Sequence, residues 1–343
     1  MATRSRCCKG ELKMKKLFAI ILSAVMLFGL TACTPQNTNT PSGDGYVSVD
    51  INVAAIKGPT GVGMVDLMQK QEEGTAANNY TFSLHTNPQE VIGLIANKDA
   101  DIAAVPTNVA ANLYKKTNGG IKVLAVNTYG VLHLLENGNS VNSIEDLRGK
   151  TVWSTGQGAN PEYILRFILE NNGIDPDTDV TIRFASNNDE IVAQMRNAGT
   201  IGVVPEPAAT TVISKFPTIR RVAAMDTEWE KLTTDSALMM GCVVVRTEFL
   251  EANPEAVAKF MEEYKASIGA LSDNDRIAEL CEKFEIIANK EIAKNAIPNC
   301  HVAFVEGENM KSKLSGYFQV LYNANPASIG GALPDDNFYY IQK

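Results

Sequence analysis

Apolar residues along this chain fall into two alternating rhythms. Short β-branched runs are followed, across glycine- or proline-containing turns, by stretches with apolar residues at helical spacing. The first instance, Val49–Gln69, sets the pattern. Val49, Ile51, Val53 and Ile56 read as a strand, Gly58, Gly61 and Gly63 break it, and Val62, Val65, Leu67 and Met68 resume as a helix. Such a junction aims helix N-terminal amides and the positive end of the helix dipole at one point, a place to hold a polar ligand group.

The alternation continues through strands at Tyr80–Leu84, Asp101–Val105 and Ile121–Val126, with helices at Pro88–Ala96 and Val109–Lys116 between them. Asn87 is an expected N-cap, with Pro88 at the first helical position. The chain changes character at Asn127–Gly130. A second series follows, with strands at Thr151–Ser154, Val180–Phe184, Ile201–Val204 and Ile219–Ala224 and helices at Pro161–Glu170, Asp189–Arg196 and Ala208–Ser214. A long apolar run, Ala237–Arg246, reads as one more strand, and helices at Pro254–Leu271, Asp275–Ala288, Lys290–Ala296 and Met310–Leu321 form a returning tail. Strands alternating with helices predict an α/β fold of two doubly wound lobes with mostly parallel sheets. Two crossover strands, near Val126–Leu135 and Ala237–Arg246, are expected to join them and act as a hinge. The expected division is lobe I from 46–130 plus 245–343 and lobe II from 131–244.

The N-terminus adds a compartment. Lys15 and Lys16 precede the apolar run Leu17–Leu30 and then Thr31-Ala32-Cys33, which reads as a secretory signal over residues 1–32, too short to span a bilayer comfortably. Met14 is the expected start. The polar segment over residues 33–45 reads as a flexible tether. Cys242, Cys281 and Cys300 remain in the body; a Cys281–Cys300 disulfide and buried free thiols are both open readings for an exported chain.

Composition narrows the classes. In 343 residues, hydrophobic content is 45% and charged content 20%, ordinary for a packed globular protein. The net charge of −8 argues against a general nucleic-acid partner. The three histidines, His85, His133 and His301, have no metal-like spacing, and no P-loop or nucleophile elbow occurs. Gly58–Gly63 fails the dinucleotide spacing, so no cofactor and no catalytic or metal residues are expected.

Several stretches together carry a resemblance: Leu30–Cys33, Ile56–Met68, Lys98–Leu113, Ser143–Ser154, Val203–Thr210, Val243–Phe260 and Ser328–Tyr340. The chain resembles substrate-binding lipoproteins of ABC importers, in the nitrate/sulfonate/taurine and thiamine-precursor-like group with the type II periplasmic binding fold. The resemblance implies lipidation at Cys33, localisation at the extracytoplasmic face of a bacterial membrane, and partnership with an ABC permease. It also implies a monomeric receptor that closes on a small solute. The alternative is an enzyme of the same fold acting on a thiamine pyrimidine or menaquinone precursor, which the lack of a cysteine-rich motif in the body disfavours.

Ligand contacts are expected on loops after strand ends. In lobe I these are Lys57, Gly58, Thr60, Gly61, Thr107 and Asn108. In lobe II they are Ser154, Thr155, Gln157 and Glu206, with Tyr129 at the crossover. Helix capping is the competing role for the threonines. A dipole-complementing charge is the competing role for Glu206. No arginine lies in these loops, which disfavours a doubly charged oxyanion and favours a polar uncharged or heteroaromatic solute.

Overall fold

The computed structural model describes residues 45–342; the expected signal, Cys33 and the tether lie outside them. The first half-series builds β1 (Asp50–Ile56), α1 (Pro59–Val62), α2 (Val65–Glu72), β2 (Asn79–His85), α3 (Pro88–Ala96), β3 (Ile102–Pro106), α4 (Thr107–Lys116) and β4 (Ile121–Thr128). Asn87 caps α3 as expected, its side chain accepting from the Gln89 amide. The chain then passes through residues 129–131 into β5 (Leu132–Asn137), β6 (Thr151–Thr155), α5 (Asn160–Asn171), β7 (Thr181–Ala185), α6 (Asn188–Gln194), β8 (Ile201–Pro205), α7 (Ala208–Lys215), β9 (Ile219–Ala224) and α8 (Met225–Leu232). It returns as β10 (Gly241–Arg246), α9 (Thr247–Ala252), α10 (Pro254–Gly269), α11 (Asn274–Lys283), α12 (Lys290–Ala296), β11 (Val302–Val305) and α13 (Gly307–Ala324).

Two sheets result, in the orders β11-β4-β10-β3-β1-β2 and β7-β6-β8-β5-β9. Within each, the strands joined by helical crossovers are parallel: β2, β1 and β3 in one, β7, β6 and β8 in the other. The strands next to the passages between sheets are antiparallel to their neighbours: β10 to β3 and β4, and β5 to β8 and β9. The sheets are therefore mixed, because a strand that returns from the other sheet enters from the opposite end.

The return run is shorter than its apolar pattern predicts. Only Gly241–Arg246 is strand, and all of it lies inside the first sheet, so the expected break between residues 244 and 245 falls within a strand. Burial on both faces explains the unbroken apolar sequence of β10. The end of β10 is pinned where Arg246 meets the buried Asp101 at 2.6 Å and its Nε donates to the Ala100 carbonyl. Cys242, Cys281 and Cys300 are free, buried thiols.

One apolar cluster runs through both halves. It joins Val105, Val126 and Val244 of the first sheet to Leu134, Val152 and Val203 of the second, with α5, α8 and α13 between. Trp229 of α8 lies 4.2 Å from the Phe167 ring of α5 and 5.7 Å from Tyr317 of α13, centroid to centroid. At Gly316, α13 approaches the return segment so closely that a Cβ would lie 2.7 Å from both the Asp235 carbonyl oxygen and Ser236 Cβ. Replacing Gly316 with alanine is expected to cost about 1–3 kcal/mol through overpacking against backbone. Gly269→Ala, where a Cβ meets nothing within 4 Å, is expected to be near neutral. Urea unfolding midpoints of the two variants check this pair.

Candidate functional site

The carboxyl ends of β1, β3, β4 and β6 open on one cavity of about 320 Å³. The first sheet's side supplies Pro59, Thr60, Pro106, Asn108, Val109, Thr128, Met240 and Gly241; the second supplies Val131, Ala159, Asn160 and Pro161. This is where an open α/β sheet presents loops to a ligand.

A buried network fixes the wall on the first sheet's side. The Asn127 Nδ2 donates to the Thr60 carbonyl at 3.0 Å and to Tyr264 Oη at 2.9 Å. Thr128 Oγ1 donates to Asn127 Oδ1 at 3.1 Å. Met240 N donates to the Thr128 carbonyl and Thr107 N to the Met240 carbonyl, both at 3.0 Å, tying α4 to the return segment. Gly241 is required here, since a Cβ would sit 2.6 Å from Asn127 Oδ1.

Of the sequence-predicted contacts, Thr60 and Asn108 line this cavity. The others stand elsewhere. Lys57 Nζ is paired with Glu285 at 3.0 Å near the surface. The Gly58 and Gly61 amides, expected to face a ligand, are engaged by the Ile286 and Gly58 carbonyls at 3.0 and 2.9 Å. Thr107 is fully buried and its hydroxyl donates to the Met239 carbonyl at 2.7 Å, so it ties α4 to the return segment instead of facing the cavity. Tyr129 is half-buried against the main core, and burial pushes its phenol pKa up. The buried Ser154 hydroxyl turns back to the Thr155 carbonyl, and Thr155 and the exposed Gln157 do not line the cavity.

Glu206 departs furthest from its expected role. Its carboxylate accepts from Thr210 N and Thr210 Oγ1, each at 3.1 Å, and from Arg221. It is buried, and desolvation pushes its pKa up against the lowering pull of Arg221. The acid is thus committed to a cluster between β5, β8, β9 and the segment before β11, where Arg221 Nη1 also donates to Asn299 Oδ1.

His133 belongs to the same cluster. Its Nε2 donates to the Asn299 carbonyl at 3.0 Å, which leaves Nδ1 unprotonated, buried and without a partner. Burial, with Arg221 nearby, pushes its pKa down to about 4. His301 is held the other way, up, by its hydrogen bond to Asp226.

The remaining contacts, Val109, Val131, Asn160 and Met240 among them, are mostly apolar or sit at helix starts. The available sequence signal was Asn160-Pro161 opening a helix straight after a strand and a glycine turn.

A pH dependence of stability follows. Unfolded His133 takes up a proton near pH 6.5 but the folded side chain does not until about pH 4, so its contribution is lost as pH falls through that window. His301 acts oppositely: its contribution is present below the unfolded pKa and is lost as pH rises through its raised folded value. His133→Asn is expected to flatten the fall between pH 6.5 and 4 by on the order of 3 kcal/mol, measured as urea unfolding free energy against pH.

Comparison with known proteins agrees with this architecture. The sequence profile of the periplasmic substrate-binding protein of phosphonate ABC transporters matches residues 72–267, more than half of the chain. Among curated proteins no sequence matches. The structure of an ABC transporter protein from Parabacteroides distasonis superposes with a TM-score of 0.71 at 21% identity, covering 85% of this chain and 99% of that one. The periplasmic aliphatic sulphonate binding protein SsuA from Escherichia coli superposes with a TM-score of 0.65 at 12% identity, over 86% and 94% of the two chains. The ligand-binding component of an ABC-type import system from Staphylococcus aureus, solved with zinc bound, gives 0.62 at 13% identity, over 85% and 96%. At these identities the likeness is one of fold. The chain belongs to the family of periplasmic substrate-binding proteins of phosphonate ABC transporters, and is a substrate-binding component of an import system, not an enzyme.

Proposed function

We propose that this protein is a lipid-anchored, extracytoplasmic receptor that captures one small organic solute in the cavity between its two sheets and presents it to a membrane permease. The observation that supports this reading is convergence: loops after β1, β3 and β4 and the start of α5 after β6 meet at one open cavity, with side chains from both halves. In this proposal one lobe is built on the six-stranded sheet and the other on the five-stranded sheet, and the receptor acts as a monomer. The apolar seam of α13 against α5 and α8 favours closure by small sliding of packed helices. Capture is driven by the solute's greater affinity for the closed arrangement.

Anchoring rests on the sequence Leu30-Thr31-Ala32-Cys33 after a signal-like segment. Replacing Cys33 with alanine is expected to release the exported protein from the membrane fraction. A Cys33→Ala protein that still sediments with membranes contradicts the anchor.

The binding site has its own test. Val131→Trp fills the cavity from the second sheet's side. It is expected to abolish the solute-dependent rise in melting temperature that a native-state ligand produces. Thr107→Ser and Glu206→Gln, whose side chains point elsewhere, are expected to leave solute affinity within about threefold of the parent. Calorimetric titration with the solute that co-purifies, identified by native mass spectrometry, reads both outcomes.

A further inference from the structure

A short stretch of the tail reaches from the first sheet's side to the second. It runs from α12 through Asn299, Cys300 and His301 into β11, which pairs with β4. There Val302 lies opposite Thr128, a residue of the cavity wall. Upstream, α11 packs on α2 and α12 on α7, so the tail touches both halves. Three polar contacts fasten the stretch to the second sheet and its helix α8. His133 Nε2 of β5 donates to the Asn299 carbonyl at 3.0 Å, and Arg221 Nη1 of β9 donates to Asn299 Oδ1 at 2.8 Å. His301 Nδ1 donates to the Asp226 carboxylate of α8.

Both passages between the sheets meet at this fastening. Tyr129 N, on the first passage, donates to the His301 carbonyl at 3.1 Å. A Cβ on Gly130 would lie 2.6 Å from Asp226 Cβ and 3.0 Å from Leu238 Cδ2 of the return segment. Val131 and Met240 of the cavity wall follow on the two passages. The charges facing His301 come from three elements: Asp226 and Glu230 on α8, Arg221 on β9, and the His133 ring of β5, 6.2 Å away centroid to centroid. Glu206, after β8, accepts from Arg221. Asp226 is buried and His301 half-buried, so salt screens their pairing less than it screens a surface pair. The hydrogen bond from Asp226 holds the His301 pKa up, so the charged pair is present at mildly acidic pH and is lost as pH rises through that raised value. His133 stays neutral down to about pH 4. Its Nδ1 and Arg221 Nε are buried without partners, a desolvation cost that the fastened arrangement carries.

We propose that residues 299–301 are a latch between the two halves: their contacts with β5, β9 and α8 hold the second sheet in the arrangement seen here, and the charge on His301 sets how firmly. Loss of that charge leaves a neutral hydrogen bond in place of an ion pair. The latch then loosens, and the cavity walls at Val131 and Met240, which lie on the passages beside it, are free to shift. The latch therefore biases the receptor between arrangements by an amount that depends on pH. This inference rests on the proposed movement of the two sheets against each other when a solute is captured.

Pulsed electron resonance between two spin labels tests it without a solute. The labels are carried by Ala96→Cys on α3 and Asn188→Cys on α6, both exposed, in the purified Cys33→Ala protein, whose body cysteines are buried. Distances are read at about pH 5.5 and about pH 9, either side of the histidine range. The parent is expected to show one narrow distance at the lower pH and, at the higher, a second distance whose share grows by about tenfold or more, the worth of a charge-assisted hydrogen bond. Asp226→Asn, which is isosteric, and His301→Asn, which tolerates the left-handed backbone at φ 44°, are each expected to show the second distance at both pH values. Circular dichroism confirms that both fold. If the parent's distance changes with pH and both variants change with it in the same way, the sheets move but the latch does not hold them, and only this inference fails. A single unchanged distance in the parent and both variants overturns the latch and the movement of the two halves together.

Discussion

The packing of α13 against α5 and α8 is the contact on which the rest of the molecule depends. Each sheet has helices of its own to cover it, and the space between the sheets is held by Tyr317, Trp229 and Phe167, which pack edge-to-face and tilted in one apolar seam. Fully burying side chains of this size contributes about 1.5–3 kcal/mol each by area. Gly316 lets the helix backbone reach the return segment at Asp235 and Ser236. The same segment runs on to Met240 and Gly241, which form part of the cavity wall. Packing at α13 therefore reaches the wall through a few residues of chain.

Polar chemistry is divided between two places. At the cavity, Tyr264 and Asn127 lie behind the wall, and Thr128, which lines it, turns its hydroxyl back to Asn127. Beside it, the charged groups are gathered into a separate cluster, in which Arg221 donates to Glu206 and Asn299 and His133 donates to the Asn299 carbonyl. In sequence Glu206, in a turn before a helix, reads as a ligand contact. Its partners show that it joins β8 and β9 to the segment before β11.

Much of this was legible in the sequence. The alternation of β-branched runs and helical spacing places most strands and helices within a few residues, because local periodicity reports which face is buried. The fold class follows from the order of those elements, and the family resemblance is carried by stretches such as Lys98–Leu113 and Ser143–Ser154. The sequence does not show which way a strand runs in its sheet, so the antiparallel insertion of β10 was not foreseen. Nor was β11, whose four residues carry too little pattern.

Site residues were harder to read for a physical reason. A threonine or glycine at a strand-to-helix junction looks the same whether its donor faces solvent, a ligand or another carbonyl. Thr60 and Asn108 face the cavity, while Thr107 and the Gly58 and Gly61 amides are taken up by backbone partners brought in from residues 239 and 286 and from within the turn. Asn160 passes in sequence for an ordinary helix start, and only its burial without a partner distinguishes it. The most direct measurement of the account is a crystal structure of the protein with its co-purified solute. The account predicts electron density for one molecule between Thr60, Asn108 and Asn160; density instead in the groove between α5 and α13, against Arg166 and Val320, would contradict it.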